Sequence, residues 1–346
     1  MGPRLRGRKL GFMSGVRVLR LVAVSAVIGV GAPAVPATGH STGAQIAGEI
    51  VFTRSVFDPA IGGERASLFR MKPDGSGLRL LMRDAGQAAV SPAGDQIGFV
   101  RAEAIWLMRR DGSAQRQLTE PSTLPPSSPT NELPIADEMP AWSSDGRTIY
   151  FSRWVKKAGT ESIFAIRVDG TRLHQVTRAE PTPFGHCHLA PAPSPDGRIV
   201  AYQDAHECTH GIDWVIEAVT TSGSRASLPF RFPSMRSIQY DPAWAPDGKR
   251  LAYGVQDSSA TAKQARTSRS GIYVSSTAAS APRRLVADAV TGNPCWSRDG
   301  NWIAYDSKNT YGSRNIWLVR ADGTASTRLT RGHDEDTGPA WLPPAG

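Results

Sequence analysis

The stretch "PAWSSDGRTIYFS", Pro140–Ser152, decides the fold. Two short apolar runs flank an Asp-Gly pair. Glycine accepts the positive φ of a tight turn, so such a pair between alternating apolar runs reads as a hairpin. The pattern returns as "PAPSPDGRIVAYQ" from Pro191, "PAWAPDGKRLAYG" from Pro242 and "PCWSRDGNWIAYD" from Pro294, with a weaker copy, "AAVSPAGDQIGFV", from Ala88. The turn positions Ala93, Asp145, Asp196, Asp247 and Asp299 are spaced by 52, 51, 51 and 52 residues.

Each unit has a second half: "IWLMRRDGSAQRQLT" from Ile105, "IFAIRVDGTRLHQVT" from Ile163 and "IWLVRADGTASTRLT" from Ile316, with looser versions after Asp213 and Gly271. A unit therefore predicts four strands, here a to d, rich in the aromatic and β-branched residues that suit a pleated, half-buried surface. Four strands repeated every 40–50 residues describe a propeller blade. At about 51 residues per unit, the 309 residues from position 38 predict six blades. "GEIVFTR" from Gly48 reads as a strand b with no strand a before it, and "GPAWLPPAG" from Gly338 as a strand a with no strand b after it. The C-terminal Pro339-Ala340-Trp341 is therefore expected to complete the N-terminal blade and remove open strand edges.

These repeats resemble the TolB-type six-bladed propeller family, related to WD-like repeats, over nearly all of residues 48–346. TolB-type proteins carry a domain ahead of the propeller. Only about ten residues separate the N-terminal apolar segment from the first strand, so none is expected here. The same repeat forms the propeller of prolyl-oligopeptidase-like enzymes, whose hydrolase domain is not expected either, because no G-x-S-x-G elbow occurs. The resemblance implies a protein or peptide partner at the channel mouth and top face.

Residues 1–37 combine a basic start (Arg4, Arg6, Arg8, Lys9, Arg17, Arg20) with an uncharged run from Leu21 to Val35. That is the pattern of a secretory signal, and the apolar run is shorter than a membrane span needs. A retained N-terminal anchor is the alternative, and Met13 is an alternative start. Residues 38–47 read as a linker. The expected location is periplasmic, cell-surface or secreted, with membrane contact only through an uncleaved N-terminus. Without residues 1–37 the chain has 34 basic and 31 acidic residues, a net +3. No basic stripe marks nucleic-acid binding, and the expected state is a monomer.

Connectivity puts the a–b and c–d turns at one end of the blades, and the longer d–a and b–c loops at the other, the top. Five of seven histidines fall on the top. "QDAHECTHGID", residues 203–213, holds an H-E-x-x-H pattern. A metalloprotease needs both histidines one turn apart on a helix, but this segment is a short b–c loop of weak helix formers. His186 and His188 begin the antiparallel neighbour of the strand that leads to His206 and His210. A zinc-class site from His186, His188, His206 and His210 is one reading, and with Glu207 it would support a metal-dependent hydrolase or lyase. Cys187 and Cys208 either form a disulfide or join such a site; Cys295 reads as a small core residue.

Strand a lines the channel, so two sets of residues are expected around its mouth. The first is Ala85, Asp137, His188, Gln239, Thr291 and Asp336; the second is Gln87, Met139, Ala190, Asp241, Asn293 and Gly338. Asp137, His188, Gln239, Asp241, Asn293 and Asp336 are the candidate partner-binding residues. Asp137, Asp241, Asp336 and His188 offer ligands for a divalent cation, calcium or zinc. A solvated polar channel is the alternative.

Overall fold

The computed structural model describes residues 46–344 except 61, 121–135, 156–159, 180–185, 207–213, 233–236, 258–268, 279–280, 289 and 309–311. The N-terminal segment and most of the long top loops lie outside these residues. Every regular element described is a strand, and no helix is long and apolar enough to cross a membrane.

The architecture is an all-β propeller of four-stranded antiparallel sheets. One sheet orders β24 (Glu335–Leu342), β1 (Glu49–Asp58), β2 (Gly63–Met71) and β3 (Arg79–Arg83). Trp341 faces Ile50 and Ala340 faces Val51 across this pairing, so the C-terminal strand completes the N-terminal sheet. Three further sheets follow chain order. They are β4 (Gly86–Val90) to β7 (Arg116–Gln117), with β5 (Gln96–Arg101) and β6 (Ala104–Arg109) between; β16 (Ser237–Trp244), β17 (Arg250–Asp257), β18 (Gly271–Ser276) and β19 (Arg283–Ala287); and β20 (Thr291–Trp296), β21 (Trp302–Lys308), β22 (Arg314–Arg320) and β23 (Thr327–Arg328).

The remaining strands depart from the expectation of six separate blades. The set β8 (Ala136–Trp142), β9 (Thr148–Val155), β10 (Thr160–Arg167) and β11 (His174–Gln175) shares one eight-stranded sheet with β12 (His186–Pro193), β13 (Ile199–Ala205), β14 (Trp214–Thr220) and β15 (Arg225–Ala226). The join is a short parallel contact, Thr160 with His186 and Glu161 with Cys187.

The repeat motif explains the turns. Gly146 has φ 68°, and its amide donates to the Ser143 carbonyl. The Ser143 hydroxyl donates to Asp145 and accepts the Thr148 amide. Ser194 with Asp196 and Ser297 with Asp299 repeat the arrangement. These bonds hold Asp145 and Asp196 below the usual carboxylate range, and at Asp299, where burial pushes up most strongly, the hydrogen bonds together still outweigh it.

Apolar side chains pack between consecutive strand sets. Val51 and Leu68 meet Ile97 and Phe99, for example, and Ala252 and Ile272 meet Trp296 and Ile303. The motif tryptophans clamp neighbouring sets. Trp142, Trp244 and Trp296 each donate Nε1–H at 3.0 Å to a backbone carbonyl one repeat earlier, those of Ala89, Ala192 and Ala243. In β12 the tryptophan position holds Pro193, which has no such donor. There the sheet itself runs on from β10 to β12.

Candidate functional sites

The two expected rings have different fates. In the first ring Ala85, Asp137, His188, Gln239, Thr291 and Asp336 are all buried, Asp137 at 0 % exposure and Asp336 at 1 %. The second ring lines the channel. Gln87, Met139, Ala190, Asp241, Asn293 and Gly338 border a funnel of about 180 Å³ together with Pro140, Pro191, Pro242, Pro294 and Pro339.

A β-bulge separates them. In β8, Glu138 faces Ser152 and Ala141 faces Tyr150, so Met139 and Pro140 together oppose Phe151. The same shift occurs in β4, β12, β16, β20 and β24. Each second-ring residue has φ between 48° and 59°. Two positions along a strand normally share a face, but the left-handed residue turns the chain between them. Five of the six are not glycine, a strain of about 1 kcal/mol each. Because all the sets share it, the strain belongs to the frame.

Five of the six first-ring residues, all but Ala85, face a partner across the ladder. Asp137 faces Arg153 and accepts a two-pronged bond from its Nε and Nη2 at 2.5 and 2.6 Å. Asp336 faces Arg54 in the same way, at 2.7 and 2.9 Å. The Arg54 guanidinium is held charged still more firmly than usual by its bond to Asp336. Among the described residues, these two aspartates form buried ion pairs and do not face the channel as cation ligands.

The polar part of the channel is a chain of second-ring contacts. The Met139 amide donates to Gln87 Oε1 at 2.7 Å, and the Asn293 amide to Asp241 Oδ2 at 3.0 Å. Asn293 Nδ2 and the Gly338 amide both donate to Asp306 Oδ2, at 2.7 and 3.0 Å. Asp306 is also paired with Arg314. Burial lifts the Asp241 carboxyl to about 6, with the Asn293 amide opposing the rise. Asp306 and Arg314 escaped the sequence reading. The available signal was a charge directly after Tyr305, where the other repeats carry Thr53, Val100, Ser152, Gln203 or Gly254.

The second constellation lies at the start of β12 and the end of β13. His188 faces Asp204 across the ladder, and Cys187 faces Ala205. His186 Nε2 is 2.7 Å from Asp204 Oδ1, and His188 Nε2 is 3.7 Å from it. One nitrogen from each histidine and one Asp204 oxygen lie within 4.8 Å of one another. His188 Nδ1 contacts Thr177 Oγ1 at 2.8 Å, and that oxygen also accepts the Ile163 amide. The His206 ring, which is exposed, stacks on His186 with centroids 4.9 Å apart. Burial pushes His188 down to about 4; Asp204 opposes the fall, and His186 and His206 add to it. Of the four expected ligands, the structure brings His186 and His188 together, sets His206 beside them and adds Asp204. His210, Glu207 and Cys208 lie outside the described residues. Cys187, buried on the opposite face of β12, is disulfide-bonded. Cys295 is a free thiol, which burial raises to about 11.

No family model matches the chain. An uncharacterized protein of Agrobacterium fabrum is 26% identical over 208 residues, which cover 58% of this chain. The match spans 60% of that relative's length. Among solved structures, TolB from Acinetobacter baumannii superposes with a TM-score of 0.62 at 16% identity, over 87% of this chain and 68% of that one. A putative TolB from Agrobacterium tumefaciens gives 0.55 at 14% identity, over 86% and 99%. The fold is thus a TolB-like β-propeller.

Proposed function

We propose that this chain is an exported protein- or peptide-binding propeller of six blades, which takes a peptide end or one protruding side chain in its channel mouth. The funnel carries this reading. Its wall is mostly proline and other apolar surface, with a few convergent polar groups (Thr53, Gln87, Asp241, Asn293, Thr337). Its 180 Å³ is below the roughly 300–1,000 Å³ of small-molecule pockets and suits a side chain or chain end. A peptide's amide groups would find acceptors in Asp241 and Gln87, and its carbonyls a donor in Asn293.

The count of six treats the eight-stranded sheet as two blades joined at one edge. Its support is the six apolar clusters among the described residues, one of which packs Tyr150 and Ile163 against Val200 and Tyr202 across that sheet. Export is supported by the N-terminal basic and apolar pattern and by the bonded Cys187, since disulfides persist in oxidising compartments. Cys208 is the proposed partner of Cys187, because the chain has three cysteines and Cys295 is free.

Random peptides selected by display against the protein test the funnel. Met139→Trp fills it, and binding is expected to weaken at least about tenfold, or 1.4 kcal/mol. Arg147→Ala, on an exposed a–b turn at the far end, is expected to leave binding unchanged. Peptides that bind Met139→Trp as tightly as the parent would contradict the proposal.

A further inference from the structure

The repeat supplies an internal control for the histidine cluster. At two places the first-ring residue is an aspartate and its cross-strand partner an arginine: Asp137 with Arg153, and Asp336 with Arg54. In the β12–β13 pair the acid has changed strands. His188 occupies the aspartate's place and Asp204 the arginine's. The carboxylate remains buried, at 5 % exposure, but no arginine or lysine pairs with it among the described residues. A buried carboxylate requires a positive partner or strong hydrogen bonds. Here it faces two imidazoles.

The geometry points to a site for one divalent first-row transition cation, of the zinc class, held by His186 Nε2, His188 Nε2 and a carboxylate oxygen of Asp204. This goes beyond the peptide-binding reading and does not depend on it. His186 and His188 are two residues apart on β12, so they share a face, and Asp204 stands directly across from His188. Two imidazoles and a carboxylate are a standard donor set for such ions, whereas calcium and magnesium prefer oxygen alone. Ligands about 2.1 Å from a tetrahedral metal lie about 3.4 Å apart. The separations of 2.7 and 3.7 Å straddle that value. A metal would replace the His186 Nε2···Asp204 contact, with the neutral imidazole carrying its proton on Nδ1 instead.

The surroundings fit a ligand role as well. When His188 Nε2 binds a metal, its Nδ1–H can donate to Thr177 Oγ1, the outer contact that fixes a ligating imidazole. Thr177 ends the neighbouring strand set, so both halves of the eight-stranded sheet shape the site. Cys187 is bonded on the other face of the strand and supplies no thiolate. Exposed His206 stacks on His186 beside these three groups.

The test uses the purified protein with its disulfide intact, dialysed against Zn²⁺ at neutral pH and analysed for bound metal. One zinc per chain is expected, with a dissociation constant of about 1 µM or tighter. His186→Ala and Asp204→Asn are each expected to weaken binding at least about 100-fold, more than loss of an outer contact. His174→Ala, at an exposed histidine outside the cluster, is expected to leave binding unchanged. A measurement without variants covers any folding defect: Co²⁺ in the parent protein is expected to give tetrahedral d–d bands with no thiolate charge-transfer band. Substoichiometric zinc in the parent, zinc retained by both ligand variants, or a thiolate band would overturn the assignment.

Discussion

Asp137 with Arg153 and His188 with Asp204 occupy matching places in neighbouring strand sets, one residue from a strand a and one from a strand b. The first pair satisfies itself. A planar guanidinium meets a carboxylate through two short bonds, and nothing is left to bind a visitor. The second pair leaves unfinished chemistry, a buried carboxylate shared by two imidazoles. The frame is the same in both, down to the bulge two residues on. By exchanging two side chains, the repeat can lock this position with an ion pair or leave a carboxylate beside two imidazoles.

The largest expected effect is on stability. Arg153→Ala strands the buried Asp137 and is expected to cost about 3–5 kcal/mol in urea unfolding. Asp204→Ala leaves imidazoles that can stay neutral and is expected to cost about 1 kcal/mol in metal-free buffer. Equal costs would make the two pairs energetically equivalent.

Acid should separate the pairs next. Burial pushes His188 down to about 4 from an ordinary 6.5. Between those values the unfolded chain binds more protons, so stability falls as pH drops from about 6.5 to about 4, by up to about 3 kcal/mol. His188→Gln is expected to flatten that slope in metal-free buffer. An unchanged slope would place the acid sensitivity elsewhere.

A smaller effect sharpens the contrast between the strand sets themselves. Trp142→Phe removes the clamp to the Ala89 carbonyl and is expected to cost about 1 kcal/mol or slightly more. Pro193, at the matching place in β12, makes no such bond, so Pro193→Trp tests whether the continuous sheet has replaced the clamp. Its expected result is no gain in melting temperature.

Much of the frame was legible because the turns repeat. Asp-Gly spacing set the strands, and the unpaired halves at Gly48 and Gly338 foretold the closing pair, Ile50 with Trp341. The division of the two rings was not legible. A residue before proline favours extended backbone and a side chain resists positive φ, so Met139, Ala190, Asp241 and Asn293 read as ordinary strand. The expectation that Asp137 and Asp336 face the channel failed for that reason. Asp204 was hidden differently: its meaning appears only when Arg54 and Arg153 are seen at the same register. The join between β10 and β12 depends on how neighbouring sets tilt, which no local motif carries.

A crystal structure of the protein grown with Zn²⁺, with anomalous data collected at the zinc edge, would locate a cation held by His186, His188 and Asp204. One strong anomalous peak is expected between His186, His188 and Asp204, and none at Asp137–Arg153 or Asp336–Arg54. An empty position between the two histidines and Asp204, or a peak in the channel beside Asp241, would contradict the assignment.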